Sequence, residues 1–251
     1  VGGLNLKLIM INYLIQYYND AKKYLIICFL LFWIPAFLNG FYLPILSENL
    51  LLFLLVDILQ WTILPIIALD ICIRQKKIIA IQHLGFHNLI FHRRNSEYVL
   101  LTSFAISFLL FFCYFEAYRY SKLIFPINYL ESFAYQSVIP YKPFLLSISI
   151  VLYMSFSAGL IEETFYRGLL KVIFQDDFHF NYKYILVSSF LFSINHWEGG
   201  VRNLFATFIF GIVTSILYLK IKNIWPIVIG HTIIDIYALY PHSRISDIFS
   251  F

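Results

Sequence analysis

Residues 161–170 read Ile-Glu-Glu-Thr-Phe-Tyr-Arg-Gly-Leu-Leu and lie inside an apolar run from about 144 to 174. A run of that length can cross a bilayer, which takes about 20 residues. At bilayer depth each of Glu162, Glu163 and Arg167 costs about 2.5–3.5 kcal/mol on insertion scales. In a helix, side chains four apart share a face while adjacent ones diverge. The spacing therefore predicts that Glu163 pairs with Arg167 one turn on, and that Glu162 is left to face a cavity. The plainer alternative is a structural ion pair, or a helix end dipping into the headgroups.

The rest of the chain agrees with a membrane setting. Of 251 residues, 61% are hydrophobic and 13% charged, against about 45–50% and about 25% in soluble domains. The 27 Phe and 19 Tyr suit lipid-facing and interfacial positions. The expected fold is an all-α polytopic integral membrane bundle of about seven transmembrane helices, or eight with a re-entrant segment. Cys28, Cys72 and Cys113 form no CxxC pair and read as small buried hydrophobes. The formal charge of +4 resides in short flanks between apolar runs, which argues against a nucleic-acid partner.

Spans are expected over 24–43 with a kink at Pro35, 50–73 with Pro65 inside, 98–115, 144–174, 182–197, 204–219 and 224–240. They form one membrane domain, 1–251, with N-terminal helices over 24–115 and a catalytic-type core over 145–240. Asp57 lies deep in the second span, where it either touches a cavity or satisfies a helix contact; Asp70 is near that span's end. In the polar connection 74–97, His83 and His87 are four apart with His92 beyond. That spacing can hold a metal on a helix, but the basic surroundings favour an interfacial segment on an anionic leaflet. Basic flanks gather on one side: Lys7, Lys22, Lys23, Arg74, Lys76, Lys77, Arg93, Arg94, Lys171, Lys183, Lys220 and Lys222. Only Arg119, Lys122, Lys142, Arg202 and Arg244 fall on the other. The N-terminus is therefore expected in the cytosol.

Two more polar clusters sit in apolar spans. Residues 192–196 read Phe-Ser-Ile-Asn-His, and residues 231–235 read His-Thr-Ile-Ile-Asp. His231 and Asp235 share a helical face, so Asp235 can accept a proton from His231 or steer its ring. Polar groups in lipid seek one another, so three helices are expected to converge on one wet pocket. A carboxylate and a histidine there can deprotonate water, and a second histidine can donate to an oxyanion. The same groups, Glu162, His196 and His231, could instead hold Zn²⁺ with one position open for water. Spacing alone does not separate the two.

The three motifs Glu162-Glu163-x-x-x-Arg167, Phe192-x-x-x-His196 and His231-x-x-x-Asp235 resemble, in order, those of the CPBP (Abi, or type II CAAX prenyl endopeptidase) family of intramembrane proteases. The resemblance implies that Glu162 and His196 activate water and that His231 and residue 235 stabilise the oxyanion. It gives Glu163 and Arg167 a supporting role, with Phe192 and Asn195 beside them. It implies no cofactor in the glutamate mechanism, with zinc as the alternative. The expected substrate is a peptide or a prenylated protein, met among membrane lipids. The prenyl-protease branch has asparagine where this chain has Asp235, and an ionised aspartate accepts but cannot donate. The composition suggests a bacterial cytoplasmic membrane. Competing readings are a non-catalytic bacteriocin-immunity or scaffold protein, and a small proton-coupled transporter. One geometric condition attaches to the shared pocket. His196 meets the other groups only if its helix starts late, near Tyr184, or if Glu198-Gly199-Gly200 turns the chain at mid-depth.

Overall fold

The computed structural model describes residues 2–75, 79–86, 96–140, 142–174 and 180–240. His87, His92, Lys76, Lys77, Arg93, Arg94, the break at 175–179, Arg244 and Asp247 lie outside the described residues. The helices in chain order are α1 (Gly2–Phe37), α2 (Asn39–Leu46), α3 (Leu50–Arg74) and α4 (Ser96–Ile124). After them come α5 (Phe144–Ile173), α6 (Phe180–Ile194), α7 (Gly200–Ile221) and α8 (Trp225–Leu239). The protein is an all-α integral membrane protein. Its outer surface is apolar: Leu51, Phe104, Phe108 and Leu145 are each more than two-thirds exposed, as lipid-facing side chains are.

The helical rods stand where seven spans are expected, but seven full crossings are not what their lengths provide. Among the described residues, α3, α4, α5 and α7 are long and apolar enough to cross, and α1 with α2 adds a fifth if the bent pair is one span. The other two, α6 and α8, have 15 residues each. At 1.5 Å per residue that is about 22 Å, short of a hydrocarbon core about 30 Å thick. The two short helices are those that bear the histidine motifs.

Local chemistry explains the breaks. Pro35 lacks the N–H that would bond one turn back, and the helix axis bends by 50° between α1 and α2. Trp197 donates its indole N–H to the Phe37 carbonyl at that bend, at 2.8 Å. In α3 a π-helical turn, Leu59–Ile63, precedes Pro65; the proline cannot donate and crowds the carbonyl four residues back, and a wider turn relieves that crowding.

α8 packs on α4 and α5, α6 packs on α7, and α4 packs on α7. Small residues permit the closest approach, as in other membrane bundles. A Cβ on Gly159 of α5 would stand 2.8 Å from Thr232 Oγ1 and 3.2 Å from the Val228 carbonyl oxygen of α8. That contact seats α8 deep against α5, level with the paired glutamates. Cys28 and Cys72 belong to the apolar core, as expected of small hydrophobes.

Candidate active site

The Glu-Glu-x-x-x-Arg stretch is not plain α-helix. Glu162 is the last α-helical residue of its segment, and Glu163–Leu169 forms a π-helical stretch buried throughout. Such i→i+5 turns are rare and occur mostly at functional sites. Arg167 Nε faces Glu163 Oε2 at 3.0 Å with both side chains fully buried, so the pair expected from spacing is present. Arg167 is further held by Thr214 Oγ1 at 2.9 Å and Ser188 Oγ at 3.3 Å. The Phe192 ring lies 4.7 Å from its guanidinium carbon, within cation–π range.

Glu163 does more than pair with Arg167. Its Oε1 stands 2.8 Å from His231 Nδ1. An arginine-paired carboxylate accepts, so Nδ1–H donates and Nε2 is turned the other way. Nε2 faces Glu162 Oε2 at 3.7 Å and Asp235 Oδ2 at 3.6 Å. The imidazole is thus oriented by Glu163 across 68 residues of chain, and Asp235 stands at its opposite nitrogen rather than steering it.

His196 lies just beyond α6, in the turn that joins it to α7. Its Nδ1 is 2.9 Å from the Phe192 carbonyl oxygen. A carbonyl only accepts, so Nδ1 carries the proton and a neutral ring leaves a lone pair on Nε2. That Nε2 is 3.9 Å from Glu162 Oε2. α6 begins at Phe180 rather than near Tyr184, and it is the turn after α6 that brings His196 to Glu162. Phe192 is the spacer of the site, with its ring 4.7 Å from His196 and 5.8 Å from His231. Asn195 donates to the Tyr166 hydroxyl at 2.5 Å.

Glu162, Phe192, Asn195, His196, His231 and Asp235 all line one cavity of about 380 Å³. Glu163 and Arg167 are packed behind it, as supports rather than as walls. The far wall holds groups that sequence reading did not join to the site. Asp57, one of its two alternatives realised, lines the cavity, with Asn39, Glu131, Tyr135 and Glu198. The connection after α4 closes this end of the molecule. Ser132 and Phe133 N–H donate to the Glu198 carbonyl at 2.8 and 3.2 Å, and Val201 N–H donates to the Tyr129 carbonyl at 2.9 Å. Glu198, in the turn between α6 and α7, is buried. The signal that could have marked Glu198 was its place two residues after His196, which the adjoining glycines disguised as a simple break.

Among the described residues, no group of three His, Cys, Asp or Glu side chains is arranged to hold a metal ion. Glu162 stands 3.9 and 3.7 Å from the two imidazole nitrogens, and as placed the three do not form a ligand set. His83, the one described member of the other histidine cluster, accepts the Ala80 N–H at Nδ1, at 3.3 Å.

Compared with known proteins, residues 144–237 match the family described as type II CAAX prenyl endopeptidase Rce1-like. No curated protein and no solved structure matches the chain. The matched region runs from the start of α5 to near the end of α8, and so contains all three motifs and the wall of the cavity they share. That match and those motifs support the reading of residues 144–237 as a core like that of the CPBP intramembrane proteases, to which the type II CAAX prenyl endopeptidases belong.

Proposed function

We propose that the protein hydrolyses a peptide bond of a membrane-associated or lipidated peptide with water activated by Glu162 and His196. One relationship carries this reading: Glu162 Oε2, buried and without a hydrogen-bond partner, faces Nε2 of His196 at 3.9 Å and of His231 at 3.7 Å. Water between Glu162 and the His196 lone pair donates one hydrogen bond to each. As the water oxygen attacks the scissile carbonyl, Glu162 takes its proton and then delivers it to the departing amine. One water is consumed and one C–N bond is broken.

The carbonyl oxygen becomes an oxyanion and needs donors. His231 supplies Nε2–H as the imidazolium, a form that Glu163 supports from Nδ1. Asp235, beside the same Nε2, sustains that charge when ionised and adds a second donor as a carboxylic acid. Arg167 acts through Glu163.

The proposed location is a bacterial cytoplasmic membrane with the N-terminus in the cytosol. Arg74, Lys171, Lys220 and Lys222 lie at the ends of their helices away from the cavity-closing loop, and Lys22 and Lys23 lie within α1, before its bend. The positive-inside rule then turns the cavity toward the extracytosolic face.

The test is cleavage of a peptide library by the purified protein, read by mass spectrometry. Glu162→Gln should reduce cleavage by about 10²–10⁴-fold while leaving the protein folded; full activity in that variant would sink the glutamate reading. Activity that persists under strong chelation supports the metal-free route, whereas loss on chelation with recovery on added zinc would overturn it.

A further inference from the structure

The cavity is one-sided in charge. Among the described residues, its walls carry five carboxylates, Asp57, Glu131, Glu162, Glu198 and Asp235, and neither a lysine nor an arginine. The catalytic proposal uses Glu162 and Asp235 but leaves the other three without work. Two of those are unusual. Asp57 is 6% and Glu198 3% exposed, and each has an oxygen without a hydrogen-bond partner. Burying a carboxylate costs several kcal/mol unless it is paired with a charge; the Tyr153 hydroxyl that bonds Asp57 is neutral, so the two carboxylates still call for a cationic partner.

Among the described residues nothing nearby supplies that charge. Beside Asp57 stands a neutral network: Gln60 donates to Asn39 at 2.7 Å, Asn39 donates to the Tyr135 hydroxyl at 3.2 Å, and the Tyr42 hydroxyl bonds both Asn39 and Gln60. Arginines at this end are committed elsewhere: Arg202 donates to the Phe125 and Pro126 carbonyls, and Arg119 pairs with Glu116 at 2.6 Å. Tyr135, in the loop that closes the cavity, registers the convergent negative charge. Burial first, then Glu198, Asp57 and Glu162 among its neighbours, hold its phenol well above the usual range.

Resting on the protease reading, we propose that the wall formed by Asp57 and Glu198 is a subsite for a cation of the peptide substrate. The cation is an ammonium or guanidinium, carried by a Lys or Arg side chain or by the peptide's own N-terminus. A metal ion is the poorer occupant, because among the described residues no three of these side chains are grouped to coordinate one. The carboxylates are instead spread along the lining, from the exposed Glu131 to the water-activating pair, as an extended chain requires. A substrate cation offsets the burial of the carboxylates only in the complex, so it contributes affinity and selects the peptide register. Peptides that bring a free carboxylate into this chamber are repelled.

Binding and cleavage test different claims. Binding is measured on the Glu162→Gln protein in detergent, with fluorescent apolar peptides that are acetylated and amidated and differ by one Lys-to-norleucine change. A matched norleucine peptide with a free N-terminus separates the two sources of the cation. The Lys or the free-amine peptide should bind at least tenfold tighter than the neutral one, and Asp57→Asn with Glu198→Gln should remove that advantage. Equal affinity for all three peptides, or an advantage that survives both substitutions, would overturn the subsite. Should those substitutions unfold the protein, the comparison among the three peptides still decides. If the cationic peptides bind better but the unaltered protein cleaves none of them, the subsite stands and the protease reading fails.

Discussion

Glu163 Oε1 lies 2.8 Å from His231 Nδ1 while its Oε2 lies 3.0 Å from Arg167 Nε. One fully buried carboxylate thus joins the first motif to the third and fixes which nitrogen of His231 looks into the cavity. Breaking a buried pair by removing one partner costs about 3–5 kcal/mol, since the other charge is left uncompensated. Arg167→Ala should therefore lower the unfolding midpoint sharply in detergent. Glu163→Gln keeps an acceptor for Nδ1–H but loses the charge, and it should reduce kcat by about tenfold or more with KM nearly unchanged. A KM effect alone would mean that Glu163 acts on substrate binding instead.

Asp235→Asn is expected to retain cleavage within about tenfold of the unaltered protein. The reason is geometric: Glu163 already orients His231, and Asp235 Oδ2 is 3.6 Å from the nitrogen that faces the cavity. An asparagine there can donate to an oxyanion, which an ionised aspartate cannot. Loss of several hundredfold in this variant, with folding intact, would show that the negative charge at 235 is needed to keep His231 protonated.

Gly159 sets the depth of α8. A valine at this position meets Thr232 and the Val228 carbonyl, where even a Cβ has only 2.8 and 3.2 Å. Overpacking of this kind costs about 1–3 kcal/mol, and here it also pushes His231 from Glu163. Gly159→Val should lose activity beyond its loss of stability; unchanged kcat/KM would mean that α8 is placed by other contacts.

The direction in which the cavity faces is open to labelling. Tyr129, 61% exposed in the closing loop, and Lys220, exposed at the other end of α7, mark the two faces. In intact cells a membrane-impermeant maleimide should modify Tyr129→Cys, and it should reach Lys220→Cys only after lysis. The reverse pattern would turn the cavity toward the cytosol.

Much of this molecule is legible in its sequence because lipid is a strict solvent. Apolar runs of about 20 residues require helices, since unpaired backbone groups are not tolerated in the hydrocarbon. The pairing of Glu163 with Arg167 follows from helical spacing, a rule that operates within one turn. The three motifs mark the residues that meet, because buried polar groups must find partners. Tertiary structure decides what spacing within a helix cannot reach. The bond between Glu163 and His231, the turn after α6 that brings His196 to Glu162, and the wall of Asp57, Tyr135 and Glu198 depend on how deeply α6 and α8 are set against their neighbours. That depth comes from two short helices and a close approach at Gly159, and such long-range packing leaves no periodic trace in the chain.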